Sequence, residues 1–231
     1  MAVMAGYNFI ESLKRIDNRI ENDTDKDYLR NIPLPGEIAS DVTIPVNGTV
    51  LYVRIETELN SDKITPSVNS GVLQSFLTES SCILRSNPNC RDVIMTNESI
   101  IAVYSSPKKV DVDSVIDDAA RIKTLALVVN KKWKADATEV RTCIAVDYGK
   151  LLMIPIVGES DTKAFTWYGE PLTKARMLAE KDLVGSVCIT DIIWNNIKQD
   201  NQKLFGKQSV FEDFYVGNIV NIVMNNWVIS K

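Results

Sequence analysis

Residues 141–178, RTCIAVDYGKLLMIPIVGESDTKAFTWYGEPLTKARML, alternate apolar runs with reversal signals in an order that few folds accommodate. The pattern predicts a strand over 142–146, a turn at Asp147-Tyr148-Gly149, and a second strand over 151–157. A polar excursion, a Trp167-Tyr168-Gly169 turn and a helix then follow. Gly149 and Gly169 stand where a chain reverses most easily without a Cβ, and Pro171 suits a first helical turn, where no N–H is required. On this reading Asp147 is a turn residue, and Trp167 and Tyr168 pack at the second turn.

Such a frame needs a core, and 231 residues with 45% hydrophobic content can bury one. Twenty-six basic and thirty acidic residues are interspersed, for a formal charge of −4. With no basic stripe, neither nucleic acid nor membrane is expected as a partner. No apolar run approaches the roughly 18 residues of a membrane span. The opening MAVMAGYNFIESLKR lacks the order of a secretory signal, so a cytoplasmic location is expected. The chain has no histidine, which removes imidazole acid–base and Ser-His-Asp chemistry. Cys82, Cys90, Cys143 and Cys188 lack CxxC spacing; they argue against zinc and for reduced, buried thiols.

The remaining elements follow from periodicity. Phe9, Ile10, Leu13, Ile16 and Ile20 recur at helical spacing, and Pro33, Pro35, Gly36 and Pro45 then suit an extended arm. A boundary is expected after residue 47, separating an N-terminal helix and arm (1–47) from the main domain (48–231). TVLYVRIET, residues 49–57, reads as a buried strand; after a loop carrying Pro66 and Gly71, residues 72–84 read as a helix. Asn97-Glu98 joins two apolar runs as a β-hairpin. Residues 111–133 form the strongest helix pattern, acidic at its start and basic at its end. A strand over 186–190, a short helix with Trp194 and Ile197, and the segment YVGNIVNIVMNNWVIS close the chain. The economical solution is an α+β sheet covered on one side by its long helices.

Several strings in this order, VLYVRI, NPNC with the Asn97-Glu98 hairpin and IIAVYSSP, IAVDYGKLLMI, TWYGEPLTKARML and YVGNIVNIVMNNWV, resemble the class III nucleotide cyclase domain. They are similar above all to the bacterial pyrimidine (uridylate/cytidylate) cyclases of Pycsar antiphage defence, over about residues 45–228. The resemblance implies a ferredoxin-like α+β sheet covered by helices. It also implies a head-to-tail homodimer and a nucleotide at the subunit interface. The chemistry it implies is cyclisation of UTP or CTP with loss of pyrophosphate, on two Mg or Mn ions held by two aspartates.

At the positions matching those aspartates this chain has Arg54 and Glu98. The family's ribose-orienting asparagine and its arginine fall on Thr173 and Met177, while Arg176 lies one residue short, about 100° around the helix. Lys174 and Arg176 read as solvated helix charges; with Arg54 and the Ile55 backbone they are the remaining candidates for phosphate contact. Glu98 is the one candidate metal ligand, and no cofactor is expected. Arg54 and Glu98 should pair directly, a guanidinium filling the charge hole of the metals. Glu56 and Glu58 add repulsion for a triphosphate. The expectation is therefore a catalytically degenerate cyclase, acting as an interaction, sensing or decoy module in or near antiphage defence. The alternative is an active uridylate or cytidylate cyclase using Mn or Mg.

Overall fold

The computed structural model describes residues 8–21, 27–38, 42–59, 66–133, 138–156, 164–181, 183–207 and 213–230. Two long strands dominate it: β1 (Ile44–Leu59) and β4 (Thr138–Ile156) pair antiparallel along the whole of β1, from Ile44↔Met153 to Leu59↔Thr138. Around them β2 (Cys90–Met95), β3 (Ser99–Tyr104), β5 (Ala164–Tyr168), β6 (Val187–Thr190), β7 (Gly206–Lys207) and β8 (Phe214–Gly217) complete one sheet. Its order is β2-β3-β1-β4-β6-β8-β7, with β5 paired to the end of β4.

Period-two alternation in β1 feeds two cores. Leu51, Val53 and Ile55 point to one face, where α2 (Pro66–Ser86) and α3 (Lys109–Lys132) bring Val72, Phe76, Val115, Ile116 and Ile122. Val46 and Val50 point to the other face, which is covered by the arm residues Ile32 and Ile38, by Trp167, and by α4 (Glu170–Ala179) through Ala175, Leu178 and Ala179. The sheet is therefore covered on both faces, not one. The arm is tied down by a parallel bridge from Leu29 to Val46 and by the Ile32 N–H donating to Ser105 Oγ at 3.0 Å. The strand before residue 48 is continuous with β1, so the expected boundary at 47/48 falls inside an element.

Three local expectations need correction. Asp147-Tyr148-Gly149 is no turn: β4 runs straight through it, with Gly48 opposite Gly149. Gly149 is there for closeness, since a Cβ would lie 3.1 Å from Pro171 Cγ at the start of α4. Residues 164–168 form β5, and only Gly169 reverses the chain, at φ +154° with its ideal Cβ position 2.4 Å from Lys150 O. Pro66 and Gly71 belong to α2; Pro66 opens the helix and Gly71 makes room for the Trp133 indole. Elsewhere α1 (Phe9–Glu21) starts after Asn8, whose Oδ1 accepts the Ile10 and Glu11 amides, and β2–β3 form the expected hairpin. Of the cysteines, Cys143 and Cys188 are buried, Cys90 is half-buried and Cys82 is exposed on α2.

Among the described residues, α3 buries two carboxylates, Asp113 and Asp118, and the second is the more deeply enclosed. Asp118 on α3, 1% exposed, accepts from Asn87 Nδ2 (2.7 Å) and the Tyr104 hydroxyl (3.2 Å), with Arg121 at 3.4 Å. Burial pushes its pKa up from 3.8 to about 6 despite the two donors. A carboxyl raised in the folded state binds its proton there more tightly than in the unfolded chain. Stability from this group is thus full at low pH and is lost as pH rises through about 4 to 6, by roughly 2–3 kcal/mol. Asp118→Asn should raise the thermal midpoint at pH 7.5 by a few degrees and flatten its pH dependence between 4 and 6.5, as calorimetry would read. Gly169→Ala should cost about 2 kcal/mol or more, read from urea midpoints, because both the dihedral and the space exclude a side chain.

Candidate functional site

Both halves of the candidate site lie on the α4 side of the sheet. Arg54 sits in β1 opposite Cys143 of β4 and Ser99 of β3, near the hairpin tip. Its guanidinium Nη2 is 2.7 Å from Glu56 Oε1, and it donates to Cys143 Sγ at 3.4 Å. Glu56 lies two residues on, hence on the same face, and pairs in register with Arg141, itself 3.1 Å from Glu139. The end of the β1–β4 ribbon thus carries an alternating ladder of ion pairs, all half-buried. The expected Arg54–Glu98 pair does not form, because a same-strand carboxylate at the pleat spacing reaches the guanidinium first. Glu98 is exposed at the hairpin tip, where its amide donates to Thr96 Oγ1 at 3.2 Å. The Glu58 side chain lies outside the described residues.

Ile55 offers no amide to a phosphate: its N–H donates to Glu98 O at 2.8 Å, and its side chain is in the core. A dication at this end of β1 would meet a guanidinium already neutralised by Glu56, so these residues do not fit a two-metal centre. Among the described residues no three of Cys, Asp and Glu converge as a metal cage.

Helix α4 buries Pro171, Ala175, Leu178 and Ala179 and turns Thr173 and Met177 outward. These two are successive on the exposed stripe, a hydroxyl and a thioether with neither amide nor guanidinium. Lys174 is held by Glu170 at 2.8 Å and Arg176 by Glu180 at 2.8 Å, both one turn away on the same helix. Each carboxylate raises its partner's pKa, keeping the cation charged and occupied. Both are solvated helix charges, as the sequence suggested.

Asp147, expected as a turn residue, is instead a buried strand residue. It is 2% exposed in mid-β4 and accepts from Thr190 Oγ1 at 2.5 Å; burial raises its pKa, opposed by Thr190 and by Lys174 nearby. The available signal was its parity in IAVDYGKLLMI, which puts it on the face of Cys143 and Ala145. Trp167 is buried, donating to Asp92 Oδ2 at 2.8 Å, whereas Tyr168 is 69% exposed and packs little.

The sheet order, the hairpin beside β1 and α4 behind β4–β5 define the class: this is the fold of class III nucleotide cyclase domains. The chain is similar, at 22% identity over 98% of its length and 82% of the other protein, to a uridylate cyclase from Treponema porcinum. Among solved structures, a bacterial light-regulated adenylyl cyclase superposes with a TM-score of 0.61 at 11% identity, over 96% of this chain and 66% of that one. The guanylyl cyclase Cya2 superposes with a TM-score of 0.59 at 11% identity, over 77% and 94%. No protein-family model matches the chain.

If Arg54 is what closes this end of β1 to a cation, Arg54→Asp should open it. The variant places a carboxylate beside Glu56 and should unfold a few degrees lower in chelator. Millimolar Mn²⁺ should recover that loss in a thermal-shift measurement, while the parent protein should show no Mn²⁺-dependent rise.

Proposed function

We propose that this chain is a catalytically silent relative of the pyrimidine nucleotide cyclases, a homodimeric cytoplasmic module that acts by interaction, sensing or as a decoy in or near antiphage defence. One observation carries the reading: the guanidinium of Arg54, which stands where the resemblance puts the first metal carboxylate, is paired with Glu56 at 2.7 Å. Cyclisation needs a ribose 3′-oxygen activated and a pyrophosphate leaving group neutralised, both by dications. A fixed guanidinium can neutralise charge but cannot lower the pKa of a bound hydroxyl as a coordinated metal does.

The opposite half of the site supports the same reading. Thr173 and Met177 can neither hold a ribose as a carboxamide does nor stabilise charge on phosphates as a guanidinium does. Because each half of a cyclase dimer's site draws on different residues, a chain altered in only one half could still work beside a complementary partner. This chain is altered in both halves. The frame itself, with α4 seated on β1 and β4, is held by apolar burial that does not depend on these four side chains.

The rival reading, an active uridylate or cytidylate cyclase dependent on Mn²⁺ or Mg²⁺, is favoured by the similarity to the Treponema porcinum protein. Purified chain incubated with UTP, CTP, ATP and GTP and Mn²⁺, then analysed by mass spectrometry, should yield no cyclic nucleotide above the buffer blank. Sustained turnover of any triphosphate by the parent protein would overturn the proposal, and turnover of UTP or CTP would establish the rival.

A further inference from the structure

The last helix, α7 (Ile222–Ser230), packs Met224 against the larger core yet leaves other large aliphatic side chains bare. It lies along α3, held by polar contacts: the Lys123 ammonium donates to Asn218 Oδ1, the Asn221 N–H donates to Thr124 Oγ1 at 2.9 Å, and the Lys131 ammonium donates to Val228 O. Its outward side carries three large aliphatic residues, with Asn226 and Ser230 exposed among them. Ile222, Val223 and Ile229 are 72%, 78% and 72% exposed, and Leu127 of α3, on the stripe of Lys123 and Lys131, is 41% exposed beside them. Three large side chains this bare on nine residues exceed the scattered apolar exposure ordinary in a folded surface.

The rim decides what covers the stripe. Trp227 is half-buried with Lys132 at 5.1 Å and Lys131 at 6.0 Å from its ring centroid. From Ala119 to Lys132, α3 has four basic residues and no acidic one, and residues 214–230 have no charged residue. A second copy of the same face would bring no carboxylate to any of these lysines, so self-association lacks charge complementarity. Aliphatic residues at the centre, a tryptophan at their edge and lysines around it match the layers of an anionic bilayer surface. The acidic balance of the whole chain hides this local patch.

We propose that the α3–α7 face docks on an anionic lipid surface. Ile222, Val223 and Ile229 enter the acyl boundary, Trp227 sits at headgroup level, and Lys131 and Lys132 meet the lipid phosphates and carboxylates. No helix of the described residues is long and apolar enough to cross a membrane, so the attachment is peripheral. It does not depend on whether the chain turns over a nucleotide.

Vesicle flotation with the full chain tests it, comparing phosphatidylcholine alone with phosphatidylcholine containing roughly 30% phosphatidylserine, a strongly anionic leaflet. Binding should appear only on the anionic vesicles and fall with added salt. Val223→Asp combined with Ile229→Asp should reduce partitioning at least about tenfold, and Lys132→Glu about fivefold with a weaker salt dependence. Both variants alter exposed side chains and should melt within a few degrees of the parent. Equal binding to neutral vesicles, or undiminished binding by the Asp double variant, would overturn the proposal. So would a dimer in sedimentation that the double variant dissolves, which would assign the face to a second copy, or retention on anionic vesicles by Lys132→Glu at full strength.

Discussion

Everything in this molecule hangs on the β1–β4 ladder. A ribbon of this length buried on both faces fixes its own register, since a one-residue slip would turn Leu51, Val53 and Ile55 out of the α2–α3 core and drive Arg54 and Glu56 into it. The same ladder spaces the two cores and gives α4 a flat seat through Gly149. It also carries the ribbon of ion pairs beyond the edge of β3. Arg54, Glu56, Glu139 and Arg141 are therefore part of the element that organises the fold, not a decoration on a loop.

This coupling separates what holds the frame together from what lines the end of β1. The sheet and helices are stabilised by apolar burial, which does not depend on residue 54 being a carboxylate. Arg54 suits the site because Glu56 stands on the same face of the pleat and because Cys143 takes up part of the guanidinium. A half-exposed pair of this kind adds little to stability. Its effect is local: it sets a guanidinium, already paired with Glu56, at the end of the ribbon without disturbing the frame.

Legibility differed by scale. The helices α1, α2 and α3, the hairpin and the buried strands were readable because their apolar spacing is strong and local. Asp147 was misread because an Asp-x-Gly string is ordinary turn chemistry; only pairing with Gly48 and Val50 across the ladder shows that the backbone is extended there. Arg54 and Glu98 were correctly placed near one end of the sheet, yet their pairing was misjudged. Which carboxylate a guanidinium takes depends on side-chain direction over a few ångströms: Glu56 turns onto it at 2.7 Å, whereas the Glu98 side chain is exposed at the hairpin tip.

By itself the sequence determined the class of fold, the absence of imidazole chemistry, and the identities of Arg54, Glu98, Thr173 and Met177. Those are properties of residue identity and periodicity, which the chain carries locally. Tertiary structure decided what those residues do. It joined Arg54 to Glu56, used the Ile55 amide within the hairpin, tied Lys174 and Arg176 to their own helix, and turned the aliphatic face of α7 outward beside the lysines of α3. Composition averages charge over the whole chain, whereas recognition is set by the few groups that folding brings within a Debye length of one another.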